Sequence, residues 1–296
     1  MPQPLTDIWQ KWLLESRFRG DRELMNRALT EFLYPIRDRV LDNAALKEGE
    51  TLLDVGCGDG LIAFGALERT QSSRVIFSDI SRPLLDHVAD LAQKMGVAER
   101  CDFIEASADD LSALSDGSVD VVTTRSVLIY VDDKARALAE FHRVLRPGGR
   151  VSLFEPINRF GRPEPPHLFA GYDVTPVMAI VAKLKAVYSA LQPWAIDPMV
   201  NFDERDLFAL AEAAGFDEVQ LDLNLALKSE SRYKSWNDLL HIPGNPKIPS
   251  LAEIMAQTLS AEEQAALTSH LKPLVEAGVG RSRSAVAYLV AAKRGP

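Results

Sequence analysis

The sequence predicts an α/β fold: a doubly wound, mostly parallel sheet of seven strands, with helices ahead of it and a helical segment inserted between its last two strands. Two observations carry this. Between residues 51 and 155, short apolar β-rich runs alternate with amphipathic stretches, and parallel neighbours require such crossovers because a tight turn cannot join them. The first run ends in the glycines Gly56, Gly58 and Gly60, the mark of a buried strand entering a tight turn.

The elements follow in order. Across residues 7–45, Ile8, Trp12 and Leu13, then Leu24, Ala28, Leu29, Phe32 and Leu33, recur three or four apart, which predicts two helices. Strands are expected at Thr51–Val55, Arg74–Ser78, Cys101–Glu105, Ser118–Thr124 and Arg150–Glu155, with helices at Arg82–Met95 and Asp132–Leu145. Ligands of open α/β sheets sit beyond the carboxyl ends of the strands, where the winding reverses. The loops after Val55, Ser78, Glu105 and Thr124 are therefore where function is expected.

Beyond Glu155 come Pro156, Pro163, Pro165 and Pro166, then a helical run from Pro176 to Leu191. A helix over Asp203–Ala214 closes at Gly215, and Asp217–Leu227 alternates as a strand with Val219, Leu221, Leu223 and Leu225 on one face. The last strand is Ser284–Ala291. Between those two strands lie more than fifty residues, with helical runs at Leu251–Leu259 and Ala261–Ala277; an insertion of that length is expected to be a helical cap over the ligand face. The organisation predicted is a helical extension at 1–45, a core at 46–227 and 283–296, and a cap or substrate lid at 157–200 and 228–282.

Composition narrows the function. The 42 acidic and 33 basic residues give a formal charge of -9, a mean field that repels polyanions, so nucleic acid is not the expected partner. Arg281 and Arg283, beside Ser282 and Ser284, are far short of a phosphate-tracking groove. The two cysteines, Cys57 and Cys101, have no metal-ligand spacing, and no metal is expected. Asp7, Lys11, Glu15 and Arg17 interrupt the N-terminal apolar residues, unlike a signal peptide, and no segment approaches the roughly 20 apolar residues of a membrane span. A cytoplasmic setting without membrane attachment is expected.

The strongest local signal is Leu53-Asp54-Val55-Gly56-Cys57-Gly58-Asp59-Gly60. Glycines there let backbone approach a ligand and adopt positive φ. Dinucleotide-binding turns use G-x-G-x-x-G to hold a pyrophosphate at the helix end; here the third glycine comes one residue early and Leu61 stands in its place. Asp54 and Asp59 put carboxylates where a phosphate would lie, which suits a cationic, phosphate-free ligand. Asp79, nineteen residues after Gly60 and followed by Ile80, ends the second strand where a carboxylate can accept both hydroxyls of a ribose. Its plain alternative is an acidic N-cap for the helix starting near Pro83.

On these residues the sequence resembles the class I, Rossmann-like S-adenosylmethionine-dependent methyltransferases. Their first motif corresponds to Leu53–Gly60, their acidic ribose-binding position to Asp79, and their late motif to Leu145-Arg146-Pro147-Gly148-Gly149. The resemblance implies S-adenosyl-L-methionine as cofactor, held by Asp54, Gly56, Cys57, Gly58, Gly60, Asp79, Ile80, Ser107, Ala108, Asp109 and Arg125. It implies Arg125 as cofactor-lining backbone and Cys57 as a small filler whose thiol is unused. Where the family has Asp-Ala-x-Asp-Leu, this chain has Ser107-Ala108-Asp109-Asp110-Leu111, so either Ser107 or Asp109 meets the adenine amino group.

A sulfonium methyl is already electrophilic, so the protein's task is to hold a nucleophile in line and exclude water. A hydroxyl or protonated amine also needs a base within reach; the candidates are Tyr130, Glu155, His167, Tyr172 and His241. Tyr130 lies in the apolar run Val127–Val131, where packing is the plain alternative, and His167 follows two prolines, where exposure is. Trp9 and Trp12 are expected to pack the N-terminal helix onto the cap. The function expected is methyl transfer by in-line displacement to an O, N or C atom of a small molecule or short peptide, such as a natural-product intermediate. The alternatives are a nicotinamide-dependent oxidoreductase, to which only the Tyr130 to Lys134 spacing speaks, and a non-catalytic S-adenosylmethionine-binding subunit. Arsenite methylation needs several thiolates, which Cys57 and Cys101 do not supply.

Overall fold

The computed structural model describes residues 7–18, 20–231 and 233–295. Two compact units divide the chain: one comprises Met1–Pro156, Glu204–Leu223 and Val286–Pro296, the other Ile157–Asp203 and Asn224–Ala285. In chain order the elements are α1 (Ile8–Gln10), α2 (Arg22–Ala28), α3 (Tyr34–Ala44), β1 (Thr51–Val55), α4 (Leu61–Arg69), β2 (Arg74–Asp79), α5 (Arg82–Lys94), β3 (Cys101–Glu105), β4 (Val119–Arg125), α6 (Lys134–Val144) and β5 (Leu145–Pro156). They continue with β6 (Leu168–Phe169), β7 (Tyr172–Asp173), α7 (Met178–Leu191), α8 (Glu204–Ala213), β8 (Glu218–Lys228), α9 (Trp236–His241), α10 (Leu251–Thr258), α11 (Ala261–Glu276) and β9 (Ser282–Ala292).

The expected sheet is present, seven strands in the order β3-β2-β1-β4-β5-β9-β8. Strands β1 to β5 pair in parallel, and β9 runs antiparallel to β5, with Phe154 opposite Tyr288. The winding reverses at β1, flanked by β2 and β4. Leu52 and Leu53 of β1 and Val121 and Val122 of β4 are fully buried, as strands covered on both faces require.

Helices α5, α10 and α11 start at the expected Arg82, Leu251 and Ala261, whereas α6 starts two residues inside the expected Asp132. Asp133 accepts from Arg136 N at 2.9 Å, so α6 begins at Lys134. Strand β5 starts earlier than expected, at Leu145, and takes the late motif into the strand through a register break between Val119 and Val121. A Cβ at Gly149 would lie 2.9 Å from Arg146 O and 3.0 Å from Asp120 O, so only glycine fits that crossing.

The N-terminal span forms two continuous helical stretches, each containing a π-helical segment: α1 runs on through Lys11–Ser16, and Leu29–Leu33 joins α2 to α3. Helix α3 buries Ile36, Val40, Leu41 and Ala44 and is tied to β5 by Ser152 Oγ, which donates to Val40 O at 2.8 Å.

In the second unit, α7, α9, α10 and α11 share a core that includes Val181, Leu184, Leu239, Ile254, Leu267 and Leu271. Ser250 with Glu253, and Ser260 with Glu263, form reciprocal caps that start α10 and α11. The hairpin β6–β7 and helix α9 were not expected from the sequence. Among the described residues, no helix is long and apolar enough to cross a membrane.

Candidate functional site

The turn after β1 is built on three glycines in the left-handed region, Gly56 (φ 63), Gly58 (φ 55) and Gly60 (φ 81). A Cβ on Gly56 would lie 2.5 Å from Val127 Cγ2, and one on Gly60 2.5 Å from Phe64 Cε2. Side chains are excluded there on both conformational and steric grounds, which leaves bare backbone at the C-terminal end of the central strand.

Carboxylates surround this turn. Asp54, 2% exposed, accepts from Thr123 Oγ1 at 2.8 Å and from Ala63 N at 3.2 Å. Burial pushes its carboxyl up to about 7, against the opposing pull of Thr123 and Arg125. Asp79 ends β2 and accepts from Gly58 N at 2.9 Å on Oδ2 and from Ser81 N at 2.9 Å on Oδ1; burial raises it as well. Ser81, not Asp79, caps α5, accepting from Leu84 N, so the plain alternative for Asp79 does not hold. Asp59 Oδ1 is buried without a hydrogen-bond partner among the described residues. Burial, followed by Asp79, Asp54 and Asp59, pushes the Cys57 thiol well above its ordinary value. The buried Cys57 thiol thus sits in a negative field that disfavours its thiolate.

Beyond β2 and β3 lies a crevice of about 330 Å³ lined by Ile80, Glu105, Ala106, Ser107, Asp110 and Ser112. Ser107 Oγ donates to Asp109 Oδ1, so the two residues left open for the adenine contact form one hydrogen-bonded pair. With its proton given to Asp109, the Ser107 oxygen can act only as an acceptor toward a ligand. Ala108 is buried.

Sequence reasoning missed the row Trp9, Leu13 and Arg17. Residues four apart lie on one face of a helix, and the π-helical segment Lys11–Ser16 continues α1 along that face. Leu13 Cδ1 lies over Gly58, 3.0 Å from where a Cβ would be. Trp9 meets Tyr130 edge-on, with ring centroids 4.7 Å apart, inside the sheet unit. Burial lowers Arg17 to about 10, helped by Arg125 and opposed by Asp59 and Tyr130. The i, i+4 spacing of Trp9, Leu13 and Arg17 was the available signal.

The catalytic candidates separate. Tyr130 and Glu155 belong to the sheet unit, while His167, Tyr172 and His241 belong to the other. Glu155 is 0% exposed and its carboxylate is spent on the backbone N–H groups of Val127, Leu128 and Ile129, so it does not face a cleft as expected. Tyr172 is 1% exposed, inside the core of its unit, and is likewise closed to substrate. His167 is exposed and His241 half-buried. The Tyr130 to Lys134 spacing has no dehydrogenase geometry, because Lys134 is buried and donates to Val131 O at 2.9 Å. Among the described residues no cluster of His, Cys, Asp and Glu could hold a metal ion.

Comparison with known proteins agrees with this geometry. Residues 53–153 match the family model described as a methyltransferase domain. The chain is 31% identical over 229 residues to the ubiquinone/menaquinone biosynthesis C-methyltransferase UbiE of Paracoccus denitrificans, covering 75% of this chain and 88% of that protein. It is 32% identical over 167 residues to the nocamycin O-methyltransferase of Saccharothrix syringae, covering 56% of this chain and 55% of that protein. The crystal structure of YcgJ from Bacillus subtilis superposes with a TM-score of 0.57 at 19% identity, covering 89% of this chain and all of that one, and so shares the fold. With its glycine turn, its seven-stranded sheet and these relatives, the chain belongs to the class I S-adenosylmethionine-dependent methyltransferases.

Proposed function

We propose that this methyltransferase transfers its methyl group by in-line displacement to an O, N or C atom of a small molecule or short peptide, in a cytoplasmic setting. The observation that carries the donor half is the ring of Asp54, Asp59 and Asp79 around bare glycine backbone, which matches a sulfonium and an ammonium and repels a pyrophosphate. Asp79 takes the ribose hydroxyls, since two backbone N–H groups already orient its oxygens. The crevice at Ile80 and Ser107 takes the adenine, with Ser107 Oγ, polarised by Asp109, accepting from its amino group. Asp54 with Gly56, Cys57, Gly58 and Gly60 takes the methionyl end, and Arg17 and Arg125 meet its carboxylate or an acidic acceptor group. Bound there, the sulfonium supplies an electrophilic methyl group. The protein's own part is to orient the acceptor beside Tyr130 and to exclude water.

The acceptor half is supported by the net charge of -9, which disfavours polyanions, and by relatives named for quinone C-methylation and nocamycin O-methylation. The two buried free thiols support a reducing compartment. Incubation with methyl-labelled S-adenosylmethionine and a fractionated extract is expected to put label into compounds that pass a small-pore filter. Label retained only in nucleic acid or in large proteins would contradict the proposal.

Donor binding is also expected to be linked to protons. Asp54, held up to about 7 by burial, is partly protonated near neutrality, and a neighbouring cation favours its ionised form. Binding therefore releases protons and tightens as pH rises from about 6 to about 8, by at most about tenfold per unit for one proton. Calorimetry in two buffers of different ionisation enthalpy reads this directly. Wild-type protein should release protons and Asp54→Asn release fewer; proton uptake by wild type would contradict the assignment.

A further inference from the structure

We propose that Glu155 is a positioning residue for the methyl donor: its carboxylate holds the loop after β4 against Gly56 and so shapes the methionyl end of the donor site. Oε1 accepts from Val127 N and Leu128 N, each at 2.9 Å, and Oε2 accepts from Ile129 N at 3.2 Å. Three consecutive backbone donors on one carboxylate start the short 3-10 turn Leu128–Tyr130, as an acidic side chain caps a helix from within its own chain segment. Here the capping group arrives from β5, so the loop is fastened to the sheet.

The fastening reaches the donor site through contacts. Val127 occupies the space beside Gly56, with Cγ2 2.5 Å from where a Cβ would sit. Ser126 makes the entry at φ 58 and donates from its N to Phe154 O at 2.8 Å. Leu128 and Ile129 are buried, and Tyr130 carries the Trp9 contact. A carboxylate sealed from water is costly unless donors compensate, and the donors it finds belong to the loop bounding the glycine turn. Glu155 is accordingly no catalytic base, and its effect on the reaction runs through Val127 and the turn.

This rests on the placement of the methionyl end beside Gly56 proposed above, so the test separates the two halves of the donor. Glu155→Gln keeps one acceptor oxygen for Val127 and Leu128 but turns an amide N–H toward Ile129 N–H. Calorimetry is expected to show S-adenosylhomocysteine binding about tenfold or more weaker in this variant, with adenosine, which reaches only Asp79 and the crevice, within about twofold of wild type. Equal weakening of both ligands would mean a general loosening of the fold and would overturn the proposal, as would no weakening of either. Wild-type protein that binds adenosine but not S-adenosylhomocysteine would remove the placement itself. A second measurement needs no variant: in ligand-free wild type the amides of Val127, Leu128 and Ile129 should exchange as slowly as those of the neighbouring strands. Exchange at the rate of an open loop would contradict the fastening.

Discussion

Asp79→Ala is expected to weaken binding of S-adenosylmethionine by about a hundredfold or more while leaving the protein folded. Hydrogen bonds to a charged group contribute about 1.5–3 kcal/mol each, and the proposed ribose contact makes two of them. At the low end their loss is about 3 kcal/mol, or roughly two powers of ten. The fold should survive because Asp79 is itself under tension: burial raises its carboxyl against the two backbone N–H groups that favour its charge, so removing it relieves one cost as it creates another. Asp79→Asn, which keeps the shape and one acceptor oxygen for Gly58 N or Ser81 N, is expected to fall between the variant and wild type. Calorimetry on samples with matched thermal transitions checks both. Unchanged affinity in a folded alanine variant would show that the ribose is held elsewhere.

Gly56→Ala should do more, removing stability and donor binding together. The residue sits at φ 63, where a side chain costs about 1–2 kcal/mol, and its Cβ would meet Val127 Cγ2 at 2.5 Å, an overpacking that costs about 1–3 kcal/mol. Val127 is β-branched, so its methyl groups stay close to a backbone that Glu155 holds in place. The expected loss is about 2–5 kcal/mol of stability, a large share of the margin of an ordinary domain. Gly58→Ala makes the control: its obstacle is Leu13 Cδ1 at 3.0 Å, the far end of a flexible side chain, and the cost should be visibly smaller. Thermal unfolding of the two variants side by side reads the difference. Equal stabilities would mean that the Gly56–Val127 contact does not constrain the turn.

Most of the sheet was legible because its signals are local. Runs such as Leu52-Leu53 and Val121-Val122 are apolar without alternation, as strands buried on both faces must be, and the glycine turn marks where ligand can approach. The site's second carboxylate was equally legible, since Asp79 follows from its place at a strand end; the capping role left open for it falls to Ser81. Other features depend on contacts far apart in sequence. Glu155 looks like a base because it ends a strand on the ligand side, and nothing in one sequence tells that residues 127–129 will turn their amides onto it. The row Trp9, Leu13 and Arg17 has the spacing of one helix face, but nothing in one sequence tells that Leu13 will lie over Gly58. Leu145–Gly149 looked like a turn before a strand because proline and two glycines punctuate it, whereas the structure takes it into β5 through a break in register. His167 and His241 were grouped with the site as residues of the loop beyond β5 and of the cap, and both belong to the second compact unit.

The most direct measurement is a crystal structure of the protein grown with S-adenosylhomocysteine. The account predicts the ribose hydroxyls on the carboxylate of Asp79, the adenine in the crevice beside Ile80 and Ser107, and the amino-acid end over the bare backbone of Gly56 and Gly58, near Arg17. Density for the ligand anywhere else, or a turn at Gly58 left covered by Leu13 at saturating ligand, would contradict it.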